Sequence, residues 1–409
     1  MEATAALDRR LRLVGLAAFG SLAAMRGCDP MLVTLSQEFG RTVGEASRVV
    51  SAFAVAYGLC QLGYGPLGDR IGKLHVVVAA TGACAVVAAL VALAPSFDAL
   101  VAARALGGAA AAGIVPMGIA WIGDRVPYAL RQHTLARLTT ATVTGTVAGQ
   151  WAGAWITEAF GWRTCFWLLA AVFALASATL GRTLPGPAPS AGAVPGSPMA
   201  TAGAGVPPDA GSPSRAAIRG LLALGRVRWV LSLTVLEGAA MFGALAFVPA
   251  QLSARHGLGT AAAGSALGLF GVGGFVYSRT AARLVSRRSE AQLARGCAGL
   301  LLAALALIGL TPWWRVTLPA CFAAGLGFYT LHGILQTRAT QMAPRVRGRA
   351  VTLFAGMLFL GQSVGVALAA LAADRGRTWV VFVVSGPVLA LVALAVAAGR
   401  GGREVAESG

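Results

Sequence analysis

The stretch "GYGPLGDRIGK", residues 63–73, decides how the rest of this chain is read. It places four glycines, a proline, an aspartate and two bases in eleven residues, between "SAFAVAYGLCQL" and "LHVVVAATGACAVVAALVALA". A short polar turn between two hydrocarbon runs is the pattern of a helical hairpin in a bilayer. The whole composition agrees. The 409 residues are 57% hydrophobic and 12% charged, and the mean hydropathy is +0.73. Soluble domains carry about 25% charged residues, so this chain has too little charge to coat a water-soluble body. Apolar runs of about 20 residues recur, long enough to cross about 30 Å of hydrocarbon as helix. They do not alternate, which argues against a β-barrel.

Twelve helices are expected, over 12–34, 47–68, 74–95, 97–122, 134–157, 161–181, 229–252, 259–281, 291–311, 314–338, 348–373 and 378–398. The N-terminal run resembles a signal peptide but continues past Arg26 and Asp29, and it reads as an uncleaved first helix. The expected organisation is a six-helix bundle over 1–184, a disordered cytoplasmic linker over 185–214 and a second bundle over 215–409. The linker is rich in Pro, Gly, Ala and Ser and cannot bury a core.

The net charge of +18 first suggests nucleic acid, but the arginines sit in turns between apolar runs, where lipid headgroups hold them. With the N-terminus inside, 24 Lys and Arg fall on the inner side and 7 on the outer, Arg26 and Arg104 lying within the membrane. This asymmetry places both termini and the 63–73 turn in the cytoplasm. The bilayer and a small-molecule substrate are the expected partners, with no nucleic acid. The six cysteines lack metal-ligand spacing and read as small buried side chains.

The halves, the long middle linker and the 63–73 turn together resemble the major facilitator superfamily, whose turn pattern is G-x-L-x-D-R-x-G-R/K. Gly65, Leu67, Asp69, Arg70, Gly72 and Lys73 match it. The resemblance implies an all-α membrane fold of two pseudo-symmetric six-helix bundles, alternating access, and a gating role for this turn. Bases there anchor to phosphates. The acid calls for a further explanation, and Asp69 can accept from N–H groups at the start of a neighbouring helix, where the dipole favours an anion. "RALGGAAAAG" resembles the superfamily's fourth-helix pattern, with Arg104 as its base. "GTVAGQWAGA", residues 145–154, resembles the antiporter motif of the fifth helix, with Gly145, Gly149 and Gly153 in place but Gln150 where that motif has proline and Ala154 where it has its last glycine. "LHGILQTRATQMAPRVRGRAV" and "LFLGQSVGVAL" resemble bacterial drug or sugar efflux members.

Ionisable residues deep in a bilayer are functional candidates by default. Five stand out: Arg26 and Asp29 in the first helix, Arg104 in the fourth, Glu237 in the seventh and His332 in the tenth. These helices open the four three-helix repeats, which in the superfamily line the central cavity. Depth along the helices brings Asp29 and Arg104 to one level, and Arg26 shares the face of Asp29. Tyr57 and Gln61 read as interhelical contacts, and Trp121, Trp151 and Trp155 as packing or interface anchors. The expected function is secondary transport in the bacterial cytoplasmic membrane by a monomer, most simply proton-coupled efflux, with no cofactor beyond the proton gradient. No G-x-x-x-x-G-K-[ST] loop is present for ATP, and no enzyme motif stands out. An uncoupled facilitator or importer, and a non-transporting sensor of the same fold, remain open at this point.

Overall fold

The computed structural model describes residues 2–184, 215–343 and 347–399; the expected 185–214 linker lies outside the described residues. The described residues form twelve spans. Span 1 runs over Glu2–Arg26, a 3-10 turn Asp29–Met31 and Leu32–Phe39. After a short helix Val43–Ala46 come span 2 (Arg48–Ile71), span 3 (Lys73–Ala92), span 4 (Phe97–Ala111 and Ile114–Arg125), span 5 (Tyr128–Phe160) and span 6 (Trp162–Gly181). The second half has a short helix Arg215–Ala223, then span 7 (Gly225–Ala246 and Val248–His256), span 8 (Thr260–Arg287) and span 9 (Glu290–Leu310). Span 10 (Trp314–Gln341), span 11 (Arg347–Asp374) and span 12 (Thr378–Ala397) complete it. Ten spans are long and apolar enough to cross a membrane on composition alone. The other two, spans 2 and 5, are diluted by Gly, Tyr, Gln and Thr, and both lie in seams between protein surfaces.

The two halves repeat one packing scheme. Span 1 packs on span 5, span 2 on span 4 and span 3 on span 6; span 7 packs on span 11, span 8 on span 10 and span 9 on span 12. The halves meet through span 2 against span 11 and span 5 against span 8. Small residues set these distances, since helices in lipid associate by close backbone packing rather than by hydrophobic drive. A Cβ on Gly145 or Gly149 would overlap the backbone of Phe19 or Ala23 in span 1. Gly153 has more room: its nearest neighbour, the Gly27 carbonyl, is 3.5 Å from where a Cβ would stand.

Spans 1 and 7 break at corresponding places. Pro30 opens the 3-10 turn of span 1, and Pro249 lies in the first turn of the second segment of span 7. Proline has no N–H to continue the ladder and its ring crowds the preceding turn. Continuous helices were expected at both places; the chain instead frees backbone polar groups inside the bundle, where irregular backbone is tolerated if protein covers it.

The conformation is closed on one face. Toward the 39–48 turn, Gly44 N–H donates to Asp374 Oδ1 at 2.8 Å, Ala261 N–H donates to Glu158 Oε2 at 2.7 Å, and Thr34 and Thr260 hydroxyls lie 3.2 Å apart. Deeper, Ser363 Oγ donates to the Ser51 carbonyl at 3.3 Å, Tyr57 packs on Phe359 with ring centroids 4.6 Å apart, and Gln61 Nε2 donates to the Thr352 carbonyl at 3.4 Å. Toward the opposite, arginine-rich face the seam loosens: around Gly63, Gly65 and Gly348 there is open space.

Candidate functional site

The span 1 break builds the first part of the site. Asp29 is 1% exposed, and its carboxylate faces the guanidinium of Arg26 at 3.7 Å across one helical turn. Neither Asp29 oxygen accepts a hydrogen bond among the described residues. Arg26 also reaches the other half: Nη2 donates to Gln362 Oε1 at 3.3 Å, and the guanidinium lies 4.0 Å from the centroid of the Phe242 ring. One side chain thus ties the buried acid of span 1 to spans 7 and 11.

Arg104 is 2% exposed, buried more deeply than Arg26 at 5%. The expected direct pair with Asp29 is not made in this conformation. The helix ends at Arg26, so the Ala24 carbonyl lacks the donor that a continued helix would supply. Arg104 Nη1 donates to it at 2.9 Å, and Nε donates to the Val49 carbonyl at 3.2 Å. The guanidinium lies 4.3 Å from the Phe53 ring centroid, and Nη2 has no hydrogen-bond partner among the described residues. Arg104 still faces Asp29 electrostatically, and the side chain of Gln150 comes within reach of a hydrogen bond to it.

The second part of the site lies in the other half. Glu237 is 0% exposed, and Oε2 lies 3.1 Å from His332 Nδ1, while Oε1 has no hydrogen-bond partner among the described residues. The imidazole stacks on Phe328 with centroids 5.5 Å apart and leans on Phe354. Its side chain is 19% exposed, so the histidine is the wetter member of the pair. Measured from Pro30 and Pro249, Asp29 is one residue and Glu237 twelve residues before the break. At 1.5 Å per residue the two acids are staggered by about 16 Å along the bundle, Glu237 being nearer the arginine-rich face.

The 63–73 segment is more helical than a loop. Span 2 continues through Pro66 to Ile71, and Gly72 alone makes the turn, at φ +94°. That region of backbone space is open to glycine and strained for other residues. Gly68 abuts Met117, whereas Gly65 touches nothing. Lys73 Nζ pairs with Asp124 Oδ2 of span 4 at 2.5 Å, and Tyr64 Oη donates to the Ala109 carbonyl at 2.9 Å. Leu67, Asp69 and Arg70 are exposed, and Asp69 and Arg70 form no hydrogen bond or ion pair among the described residues.

A cavity of about 320 Å³ opens between spans 1, 4 and 5 near Leu11, Arg12, Phe19, Ile122, Arg137 and Leu138. None of the buried acids lines it. Gln362, Phe242 and the Glu237–His332 contact were not anticipated. Gln362 had a visible signal, a lone amide in the apolar run "LFLGQSVGVAL". Trp121 is buried, while Trp151 and Trp155 stand exposed beside span 8, Trp155 Nε1 donating to Ser265 Oγ at 3.3 Å.

The family model of the Major Facilitator Superfamily matches residues 14–365. This chain belongs to that superfamily. The superfamily consists of transporters that carry small molecules across membranes, and the chain is accordingly a multi-pass membrane transporter. Its relatives include the uncharacterised MFS-type transporter YceJ of Bacillus subtilis, 24% identical over 83% of each chain. A chloramphenicol resistance protein of Streptomyces lividans is 28% identical over 82% of each chain. Among solved superfamily structures, a bacterial homologue of the human lysosomal transporter Spinster, inward-facing and unoccupied, aligns with a TM-score of 0.72. It is 17% identical, over 97% of this chain and 98% of that one. The human organic anion transporter MFSD10 aligns with a TM-score of 0.67 at 19% identity, over 95% of this chain and 99% of that one. Both share the twelve-span fold.

Proposed function

We propose that this transporter exports a small molecule across the bacterial cytoplasmic membrane in exchange for protons, acting as a monomer with both termini in the cytoplasm. The observation that carries this reading is the pair of fully buried acids, Asp29 and Glu237, each with an oxygen lacking a donor and each facing a base. A charge in that setting costs several kcal/mol unless it is paired, hydrated or neutralised by a proton. Two such groups at staggered depths suit a protein that takes up protons at one face and releases them at the other. Export is favoured by the chloramphenicol resistance relative.

In this reading the arginine-rich face is cytoplasmic and the present conformation opens toward it. Glu237 exchanges its proton with the cytoplasm through His332, the exposed member of that pair. When the halves rock, Asp69 docks on the start of span 11, where Gly348 now has open space. The contacts of Glu158 and Asp374 at the other face then release. Asp29 becomes accessible from outside and takes up a proton, while Arg26 releases the carboxylate and keeps its bond to Gln362. ATP plays no part.

The test is reconstitution in liposomes with an imposed pH gradient, screened with chloramphenicol, lipophilic cations, sugars and amino acids. Proton-coupled export predicts accumulation that collapses with an uncoupler. Transport that survives the uncoupler would identify a facilitator, and binding without flux would identify a sensor.

A further inference from the structure

Gln150 is the polar side chain for which the fold gives no structural reason. It is 0% exposed, and among the described residues neither its amide nitrogen nor its amide oxygen makes a hydrogen bond of good geometry. An unpaired buried amide loses its bonds to water and gains none in return, and well-packed interiors avoid it. The position is tightly defined. Gly149, its neighbour, abuts Ala23 of span 1, and Gly153, one turn later, faces Gly27. Residue 150 therefore sits in the seam opposite the break that presents Asp29. Span 5 packs directly on the Asp29–Met31 turn, and the Gln150 side chain approaches the Asp29 carboxylate within reach of a hydrogen bond. Among the described residues none of these four polar atoms completes a bond of good geometry in this conformation.

The charged and titratable groups facing Asp29 are Arg26 on its own span, Arg104 from span 4 and the thiol of Cys28, which itself faces Cys165 of span 6. Spans 5, 7 and 8, which also pack on the turn, bring no charge to it among the described residues. A fixed cation favours only the ionised acid. An amide can serve both states, because it carries a donor and an acceptor.

We infer that Gln150 is a positioning residue for the proton step, a neutral partner that follows Asp29 through both of its protonation states. In the ionised state Nε2–H donates to a carboxylate oxygen. On uptake, a lone pair of that oxygen takes H⁺ from a hydronium, leaving water. The new O–H then donates to Oε1 after the amide turns about its terminal bond. No bond of Gln150 forms or breaks. The inference rests on the reading of Asp29 as a proton carrier.

The experiment is acid-induced infrared difference spectroscopy on the purified full-length protein in lipid, with glutamine side-chain carbonyls ¹³C-labelled. Wild type should show a carboxylic C=O band that Asp29→Asn lacks, and an amide band that moves with it and is missing in Gln150→Met. In Gln150→Met the carboxylic band should shift to the frequency of a carbonyl with fewer hydrogen bonds. The pH profile of transport should move by about one unit, and Gln150→Asn should restore part of that shift. A carboxylic band and pH profile unchanged in Gln150→Met overturn the inference while leaving Asp29 as carrier. A band that persists in Asp29→Asn overturns the coupling role of Asp29, and this inference with it. Should Gln150→Met not fold, the labelled wild type alone decides: a glutamine amide band that does not respond to acid contradicts the proposal.

Discussion

Glu158 at the end of span 5 accepts a hydrogen bond from the backbone N–H of Ala261, the second residue of span 8. Asp374 at the end of span 11 does the same for Gly44, the second residue of the short helix that leads into span 2. The two contacts are equivalents under the pseudo-twofold that relates the halves. Each joins one half to the other, and each sets an acid on a helix start, where free N–H groups and the dipole favour negative charge. In each, a Cβ on the adjacent glycine, Gly259 or Gly44, would crowd the carboxylate.

Glu158→Ala together with Asp374→Ala should therefore loosen this closed face without unfolding the protein. A helix cap contributes about 1 kcal/mol, so each substitution should shift the balance between conformations about fivefold. Distance measurements between spin labels at the ends of spans 5 and 8 test this. Unchanged distance distributions would reduce both contacts to surface decoration.

Asp69→Asn should leave expression and the melting temperature of this conformation unchanged, because Asp69 forms no hydrogen bond or ion pair among the described residues. Its effect should fall on the cycle: slower flux, with substrate affinity retained. Wild-type flux would confine the 63–73 segment to setting topology.

Gly149→Leu should disrupt the span 1–span 5 seam and cost at least the ~1–3 kcal/mol typical of overpacking, since the clash is with backbone. Gly153→Ala, where the space is 3.5 Å, should be tolerated. Thermal stability in detergent separates the two; equal losses would contradict this packing.

His332→Ala should leave Glu237 without its described partner and destabilise the protein by about 1–3 kcal/mol, whereas the double variant Glu237→Gln/His332→Ala should recover part of that loss. A double variant as unstable as the sum of the singles would show that the pair is not coupled.

The twelve spans and their grouping were legible because a bilayer demands long apolar helices. Spans 2 and 5, more polar than the rest, were placed with them at 47–68 and 134–157. The five ionisable residues within the spans, four of them buried, were legible for the same reason, since charge in an apolar run is rare. Their partners were not. Glu237 and His332 are 95 residues apart, and only the packing of span 7 beside span 10 brings them together. The separation of Arg104 from Asp29 depends on the Ala24 carbonyl, freed by a helix break that a continuous reading of span 1 passes over. Pro30 and Pro249 were the signals for both breaks.

The most direct test of proton coupling is Asp29→Asn in liposomes with an imposed pH gradient. The neutral amide mimics the protonated acid, so substrate exchange should persist while uphill accumulation disappears. Accumulation against the gradient with the pH dependence of wild type would contradict the account and move the coupling role to Glu237.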